Sequence, residues 1–567
     1  KQASIRMLGA MSNCAPKQLA TCLPKIVPAL TQAFGDTHPK VKESAETALK
    51  QIKNVIRNPE IKTLAPVLLK GLTDPAKSTK KALDALLETE FLHAIDAPSL
   101  ALLIPILQRG LKDRVGTSKR KSALVCGSMC TMIAEPRDFS PYLGVLLPGL
   151  QSVLLDPIPD VRSTSAKAIG ALVRGLGESE MPDLRGWLIE TLKSESGTSV
   201  ERSGAAQGLC ELLIACGGTT VHEVMKSEIL PLSTHPRGNV REGVLWVLTF
   251  LPTSLGNGFA SLIDDALPAV LTGLNDEVEP VREVAMRAGK VLIRSHGRTS
   301  VGQIVPPLEE GMEDPNWRIR QSSLMLLGDL LTMIGGTNVV GVAEIGGEDD
   351  TRGAEKAQAQ IALVLGSETR KRVLSKLYIA RSDTSSVVRQ GAVQVWKSIV
   401  SVTPRTLREI LPLLVSHIVI SLSGGGDQSG SEDRTIVASR CLGDLVKKLG
   451  EKVLPEIIPI LTNKLNDVEK ETRMGVCIGL GEVISCGNKE QIVKYLDVLI
   501  PAVRASLVDA EDSVRKVGAL AFQKLYSVSG GERVFTDIVP VLMSELDEEE
   551  EGGSLEGLKE VLKLKSK

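Results

Sequence analysis

Aromatic residues are scarce in this chain of 567 residues: Phe, Trp and Tyr make up 3% of it, whereas hydrophobic residues as a whole make up 43%. A chain of this length is too long for one compact core, and a core poor in aromatics has to be built from Leu, Val, Ile and Ala packed at close range. Short stacked helices meet this requirement. The composition therefore favours a repeat array over several globular domains.

An excess of charge of either sign is also lacking. Lys and Arg number 67 and Asp and Glu number 68, which gives a formal net charge of −1. Dedicated nucleic-acid-binding proteins carry a basic excess, so this class is excluded for the molecule as a whole. Any contact with nucleic acid has to be local.

Signatures of metal, nucleotide and membrane binding are missing as well. The nine cysteines form no pair of C-x-x-C motifs, the six histidines form no H-E-x-x-H motif, and there is no G-x-x-x-x-G-K-[ST] loop. Apolar runs end well short of the roughly 20 residues of a membrane helix. We predict no catalytic residue, no metal, no cofactor and no membrane partner. Cys126 and Cys130 are predicted to pack in a helical core, in a reducing intracellular setting.

One stretch shows the repeating unit clearly. Residues 146–154 place leucines at intervals of three and four, the spacing that lines one face of a helix. Asp156-Pro157 ends that helix, because proline cannot continue the hydrogen-bond ladder. Asp160 is suited to cap a second helix, whose apolar face includes Val161 and Leu172. The stretch predicts two antiparallel helices joined by a turn.

An arginine after the turn recurs about every 40 residues, the period of HEAT and armadillo arrays. The arginines are Arg162, Arg202, Arg241, Arg282, Arg320, Arg389, Arg473 and Arg515. A proline in the first helix recurs with the same period. We predict an all-α fold, a HEAT-repeat α-solenoid of about a dozen stacked antiparallel helix pairs that form a curved superhelix.

The period is interrupted in two places, and these interruptions divide the chain. We predict HEAT repeats over 1–180 and 181–334, an acidic and Gly-rich loop over 335–360, and HEAT repeats over 361–567 with a Gly-rich loop near 421–433. The chain begins at Lys1 within what already reads as a helix, so we expect it to be a piece of a longer protein.

The recurring arginines follow aspartates at the turns, which are Asp156, Asp276, Asp314, Asp383, Asp467 and Asp509. Arg-to-Asp bonds between adjacent repeats are predicted to form a structural ladder, because pairing satisfies half-buried charges that are otherwise costly. The alternative is that these arginines bind phosphate.

Two basic clusters are interpreted as lying off this ladder. They are Lys77, Lys80 and Lys81 at one turn, and Arg109, Lys112, Arg114, Lys119, Arg120 and Lys121 at the next. Stacked repeats carry corresponding turns to one edge, where these cations form a local positive patch. The patch is either a solvated face or a site of salt-sensitive phosphate contacts with RNA, and both interpretations stay open.

The sequence also contains motifs of a known family. They are FLH at 91–93, APSLAL at 97–102, RGL at 109–111, KRK at 119–121, WRIR at 317–320 and TPRTLREILP at 403–412. The region 64–177 resembles the HEAT domain of fungal translation elongation factor three, without the ATPase cassettes of that factor. With the later motifs, the chain resembles the giant general-control translational activators, in the part that contains their elongation-factor-three-like region.

This resemblance implies a non-enzymatic, cytoplasmic, ribosome-associated scaffold. Such a scaffold senses stalled or collided ribosomes and promotes activation of the general-control kinase that phosphorylates initiation factor two alpha. The implied partners are the ribosome, through protein and rRNA, an ATP-binding-cassette protein, and the kinase, mainly through sequence beyond this fragment. Residues 64–177 are the implied contact for the first two. The alternative is a nuclear-transport-receptor-like HEAT protein that binds cargo and a small GTPase.

Overall fold

The computed structural model describes residues 1–133, 135–336, 349–400, 402–422, 431–529, 532–546, 555, 557–559 and 561–562. Over these residues the chain is helical throughout, without a strand, and an isolated β-bridge joins Ile95 and Ile133. Successive helices form antiparallel pairs that stack on their neighbours. The predicted all-α, HEAT-repeat solenoid fold class is confirmed.

The chain divides into two compact units, Lys1–Ser295 and His296–Lys567. The helices that begin in the first unit are α1 Gln2–Cys14, α2 Pro16–Ala33, α3 Pro39–Ile52, α4 Pro59–Thr73, α5 Pro75–Glu88, α6 Ala97–Leu111, α7 Gly116–Cys130, α8 Ser140–Leu154, α9 Pro159–Leu176, α10 Pro182–Lys193, α11 Ser199–Cys216, α12 Gly218–Val224, α13 Gly238–Leu255, α14 Ile263–Leu274 and α15 Glu279–His296. Short 3₁₀ or π segments lie between some of them, at Lys53–Val55, Pro136–Asp138, Glu178–Glu180, Met225–Ile229, Leu230–Thr234 and Gly256–Leu262.

The helices of the second unit are α16 Val301–Gly311, α17 Trp317–Gly335, α18 Asp349–Leu365, α19 Ser367–Ala380, α20 Ser386–Ile399, α21 Thr403–Leu422, α22 Ser431–Lys464, α23 Lys470–Cys486, α24 Lys489–Lys494, α25 Leu496–Leu507, α26 Asp512–Ser529 and α27 Glu532–Leu546. Prolines lie inside the first helix of many pairs, including α4, α6, α8, α14, α16, α21, α25 and α27. The proline period seen in the sequence is therefore a feature of one helix of the pair.

The predicted loop over 335–360 is too long. Helix α17 runs to Gly335 and α18 begins at Asp349, because residues 354–360 are rich in the strong helix formers Ala, Glu, Lys and Gln. Residues 337–348 lie outside the described residues, and so do residues 423–430 of the Gly-rich loop near 421–433. The predicted boundaries at 180 and 334 do not coincide with the division at Ser295 and stay predictions.

Within the described residues, one helical stretch is long and apolar enough to cross a membrane by length and composition alone. It is Gly238–Leu274, with a mean hydropathy of 1.2. The stretch consists of α13, a 3₁₀ turn and α14, and 56% of its most apolar window is buried inside the fold. Its apolar side chains, such as Leu248 and Val270, belong to the core between helices. Core packing therefore accounts for the composition.

Glycine allows some second helices to approach their neighbours closely. A Cβ atom on Gly204 in α11 would lie 2.0 Å from the carbonyl oxygen of Leu154 at the end of α8. This oxygen is a backbone atom, so it cannot rotate away as a side chain can. In contrast, nothing lies within 4 Å of a Cβ atom on Gly186 in α10.

We expect Gly204→Ala and Gly186→Ala to change stability in opposite directions. Ala is favoured over Gly in a helix by about 0.8–1.0 kcal/mol, whereas overpacking costs about 1–3 kcal/mol. Gly204→Ala should therefore lower the free energy of unfolding, and Gly186→Ala should raise it. Urea denaturation followed by circular dichroism measures both. Stabilisation by both substitutions would contradict the close approach at Gly204.

Candidate nucleic-acid interface and arginine ladder

Each of the eight ladder arginines closes the turn of its own repeat. Arg162 is typical: its Nη1 donates to the carbonyl oxygens of Asp156 at 2.8 Å and Pro157 at 2.9 Å. The same pair of bonds, to carbonyls six and five positions earlier, is made by Arg241, Arg282, Arg320, Arg389, Arg473 and Arg515. Arg202 donates to Gly197 and Ser194. Carbonyls near a helix end need such donors, and one guanidinium supplies several.

Three ladder arginines also bind an aspartate in the turn of the following repeat. Each makes two hydrogen bonds, one from Nε and one from Nη2. The pairs are Arg241–Asp276 at 2.5 and 2.7 Å, Arg320–Asp383 at 2.8 and 2.9 Å, and Arg473–Asp509 at 2.7 and 3.0 Å. This fork geometry is the strong form of an ion pair between arginine and carboxylate.

The aspartates serve two repeats at once. Asp276 accepts a hydrogen bond from the backbone N–H of Val278 at 2.9 Å, which fixes its own turn, while it holds Arg241 of the preceding repeat. Burial raises the pKa of Asp276, but the hydrogen bonds from Arg241 and Val278 outweigh burial and leave the pKa below its ordinary value of 3.8. Because the pKa of Arg241 is raised by the same bond, the pair stays charged.

The link between repeats varies where the next turn lacks an aspartate. Arg202 binds Glu242 instead, with its Nη2 at 2.7 Å and its Nε at 3.1 Å from Oε2. Glu242 lies in α13 and is 2% exposed. Arg162 donates to carbonyls, and its Nε has no hydrogen-bond partner among the described residues. The sequence did not single out Glu242, because it is not a turn residue.

Lys119 is a ladder residue, so its interpretation as an off-ladder cation is wrong. It lies six residues after Asp113, the spacing that separates Arg162 from Asp156. Its Nζ lies 2.6 Å from Oδ2 of Asp156, in the turn of the following repeat. Burial raises the pKa of Asp156, but the bonds from Lys119 and from the Ile158 N–H outweigh it and lower the pKa. Counting the spacing from aspartate would have identified Lys119.

Two more of the predicted contact residues hold neighbouring repeats together. Arg109 on α6 donates from Nη1 to the carbonyl oxygen of Gly71 on α4 at 3.2 Å, and burial lowers the pKa of its guanidinium. Lys121 on α7 forms an ion pair with Asp84 on α5. These side chains are half-buried. Their charged groups bond to partners within the fold.

The remaining six predicted cations are exposed, and we call them the basic edge. They are Lys77, Lys80, Lys81, Lys112, Arg114 and Arg120. Helix α5, which carries the first three, packs against α7, which carries Arg120, so these cations lie on adjacent helices. Asp113 lies in the same turn, and a hydrogen bond from Ser118 holds its pKa below the ordinary value, so it stays charged. The basic edge therefore keeps an excess of positive charge.

The two cysteines of α7 serve packing. Cys126 and Cys130 are buried in α7, which confirms their predicted core position, and burial raises the pKa of the Cys130 thiol to about 12. Thiols in this state are unreactive. Over the part of the chain that the structure describes, no three His, Cys, Asp or Glu side chains are grouped to hold a metal ion.

Comparison with known proteins agrees with this architecture. The family model "Elongation factor 3/GNC1 HEAT repeat" matches residues 77–183, which include the basic edge, and "EF3 N-terminal HEAT repeat" matches residues 1–49. A general HEAT-repeat model matches residues 304–334. The human protein "Stalled ribosome sensor GCN1" is 45% identical over 100% of this chain. The chain matches the GCN1 family over its whole length.

A second GCN1 relative is the Saccharomyces cerevisiae "eIF-2-alpha kinase activator GCN1", which is 38% identical over 100% of the chain. The chain spans about a fifth of these GCN1 relatives, 21% of each. The resemblance to the general-control translational activators, in their elongation-factor-three-like part, is confirmed.

Among solved structures, the karyopherin Kap121p bound to the C-terminus of the phosphatase Cdc14p matches 99% of this chain and 65% of its own chain. The identity is 14% and the TM-score 0.38. A likeness at this level gives no support to the transport-receptor alternative.

Proposed function

We propose that this chain is part of a non-enzymatic, cytoplasmic scaffold that associates with ribosomes, senses stalled or collided ones, and promotes activation of the kinase that phosphorylates initiation factor two alpha. The observation that carries the proposal is the match along the whole chain with GCN1 relatives, whose names describe a stalled-ribosome sensor and a kinase activator. The ribosome, an ATP-binding-cassette protein and the kinase are the proposed partners. The kinase contact is assigned to no residue here.

The basic edge is the proposed ribosome contact within this chain. Its six cations are exposed, and they lie in the region matched by the elongation factor 3/GNC1 model. Exposed Lys and Arg contribute to nucleic-acid affinity through phosphate contacts, which release counterions. Lys119, Lys121 and Arg109 are left out of the contact, because their charges bind partners between repeats.

The test replaces Lys80, Lys81 and Arg120 by alanine together. All three are exposed and have no ion-pair partner among the described residues, so we expect the fold to be unchanged. Co-sedimentation with ribosomes should weaken by about tenfold or more at physiological salt. The slope of log affinity against log salt should flatten by about 0.7–0.9 for each lost phosphate contact.

A matched control removes the same charge elsewhere. Lys470, Lys489 and Lys494 are exposed lysines of the second unit, and their triple alanine variant should sediment like the parent chain. The basic edge would be shown to be only solvated if the Lys80, Lys81 and Arg120 variant bound ribosomes with the same affinity and the same salt slope as the control. Absence of ribosome binding by the parent chain itself would overturn the ribosome proposal for this segment.

A further inference from the structure

Three cations lie along one side of α15, and we call them the α15 stripe: Arg287, Lys290 and Arg294. Their spacing of three and four residues places them on the same face of the helix, over about 10 Å along its axis. Arg287 and Arg294 are exposed and Lys290 is half-buried. None of the three has a hydrogen-bond or ion-pair partner among the described residues. Glu283, one turn before Arg287, forms no ion pair with it.

Aromatic rings lie beneath one end of the stripe. The guanidinium carbon of Arg287 lies 5.1 Å from the centroid of the Trp246 ring, and the Phe250 ring stacks on Trp246 at 5.8 Å with an angle of 12°. A hydrogen bond holds the Trp246 ring in place, since its Nε1 donates to the Glu242 carboxylate at 3.0 Å. Trp246 is 8% exposed, and the exposed side chain of Arg287 covers one face of its indole.

We propose that the α15 stripe and Trp246 form a second RNA contact, specific for single-stranded RNA. The three cations bind successive phosphates, and an unpaired base stacks on Trp246 after Arg287 swings from the ring to a phosphate. Cationic tracks beside stacking aromatics are the arrangement by which proteins bind single strands without sequence preference. An acidic peptide would pair with the cations but would gain nothing from the indole, so RNA is favoured.

This contact deepens the proposed ribosome association and is separate from the basic edge. The basic edge lies on α5, on α7 and in the turn before α7, whereas the α15 stripe lies several repeats later and has aromatic rings below it. Among the described residues, none of the six basic-edge cations lies over an aromatic ring. We therefore expect salt-sensitive phosphate contact at the edge, and stacking in addition at the stripe.

The test measures binding of a fluorescein-labelled oligoadenylate of twelve nucleotides to the chain by anisotropy. A triple alanine variant should weaken oligoadenylate binding by about tenfold or more and flatten the salt slope by about 0.7 per phosphate contact. It combines Arg287→Ala, Lys290→Ala and Arg294→Ala. The Lys470, Lys489 and Lys494 variant is the control with the same change in charge, and it should bind as the parent does. Equal affinity of the two triple variants would overturn the proposal.

Tryptophan emission reports the stacking itself. Unlabelled oligoadenylate should quench the emission of the parent chain, and Trp246→Phe, which keeps an aromatic ring under Arg287, should abolish most of that quenching. Quenching that persists in Trp246→Phe would contradict the stacking. A polyglutamate peptide could also bind as tightly as oligoadenylate and lose affinity to the same extent in the α15-stripe variant. That result would assign the surface to an acidic protein instead of RNA. If the chain sediments with ribosomes in a way that depends on the basic edge but does not bind oligoadenylate, the α15-stripe inference is overturned and the proposed function is not.

Discussion

Arg320→Ala should be among the most destabilising substitutions in the second unit. Arg320 and Asp383 are paired through two bonds of 2.8 and 2.9 Å, and their side chains are only 9% and 5% exposed. Removing one partner of a buried pair leaves the other charge uncompensated, which costs about 3–5 kcal/mol. The loss adds to that of the carbonyl bonds within the Arg320 turn. Urea denaturation and hydrogen exchange in α17 and α20 measure the effect.

Three further variants separate the causes. Arg318→Ala, two residues earlier on α17 and exposed, should change the free energy of unfolding by no more than about 0.5 kcal/mol. Asp383→Asn keeps an acceptor for the Ser385 N–H, so its effect isolates the loss of charge. Arg320→Ala with Asp383→Ala should cost less than the two single losses added together. Strict additivity would show that the pair is not coupled.

Glu242→Ala should have a comparable effect in the first unit. Glu242 is 2% exposed and accepts hydrogen bonds from Arg202, from the Nε1 of Trp246 and from Ser199. Alanine would leave the buried Arg202 guanidinium with carbonyl bonds only, at a cost of about 3–5 kcal/mol. Glu242→Gln keeps the shape of the side chain and loses its charge, so it should lower the free energy of unfolding by a smaller amount, about 1.5–3 kcal/mol.

The matched control for Glu242 is Glu283→Ala, at an exposed position of α15 without an ion pair among the described residues. Its free energy of unfolding, from urea denaturation, should stay within about 0.5 kcal/mol of the parent. Similar values for Glu242→Ala and Glu283→Ala would contradict the buried network. A change in the near-ultraviolet signal of Trp246 should accompany the loss at Glu242 alone.

The helices and their pairing could be predicted from the sequence, because each pair repeats the same local signals. The apolar spacing of residues 146–154, the break at Asp156-Pro157 and the recurring arginine are all contained within one repeat. The two bonds from Arg162 to its own turn are equally local. Contacts of this kind depend on the order of residues in one segment, and the sequence displays that order directly.

The partners between repeats could be predicted only in part, because they depend on how two segments are stacked. Arg241 and Asp276 fit the prediction, but Arg202 binds Glu242 because the following turn offers His235 where other turns offer aspartate. The basic clusters show the same limit. Composition located them, and the spacing from Asp113 points to Lys119 as a ladder residue, but the packing of α7 against its neighbours is needed to show that Lys121 is paired and Arg120 is exposed.

The shared aspartates have a mechanical consequence. Oδ1 of Asp276 accepts hydrogen bonds both from its own turn and from Arg241 of the repeat before it, so the turn cannot change shape without pulling on the preceding helix. A force applied at one repeat is therefore passed on to its neighbour through bidentate, hydrogen-bonded ion pairs. Between α9 and α11 that joint is missing, since Arg162 holds carbonyls of its own turn alone. At this junction the load is carried by the packing of α9 against α11.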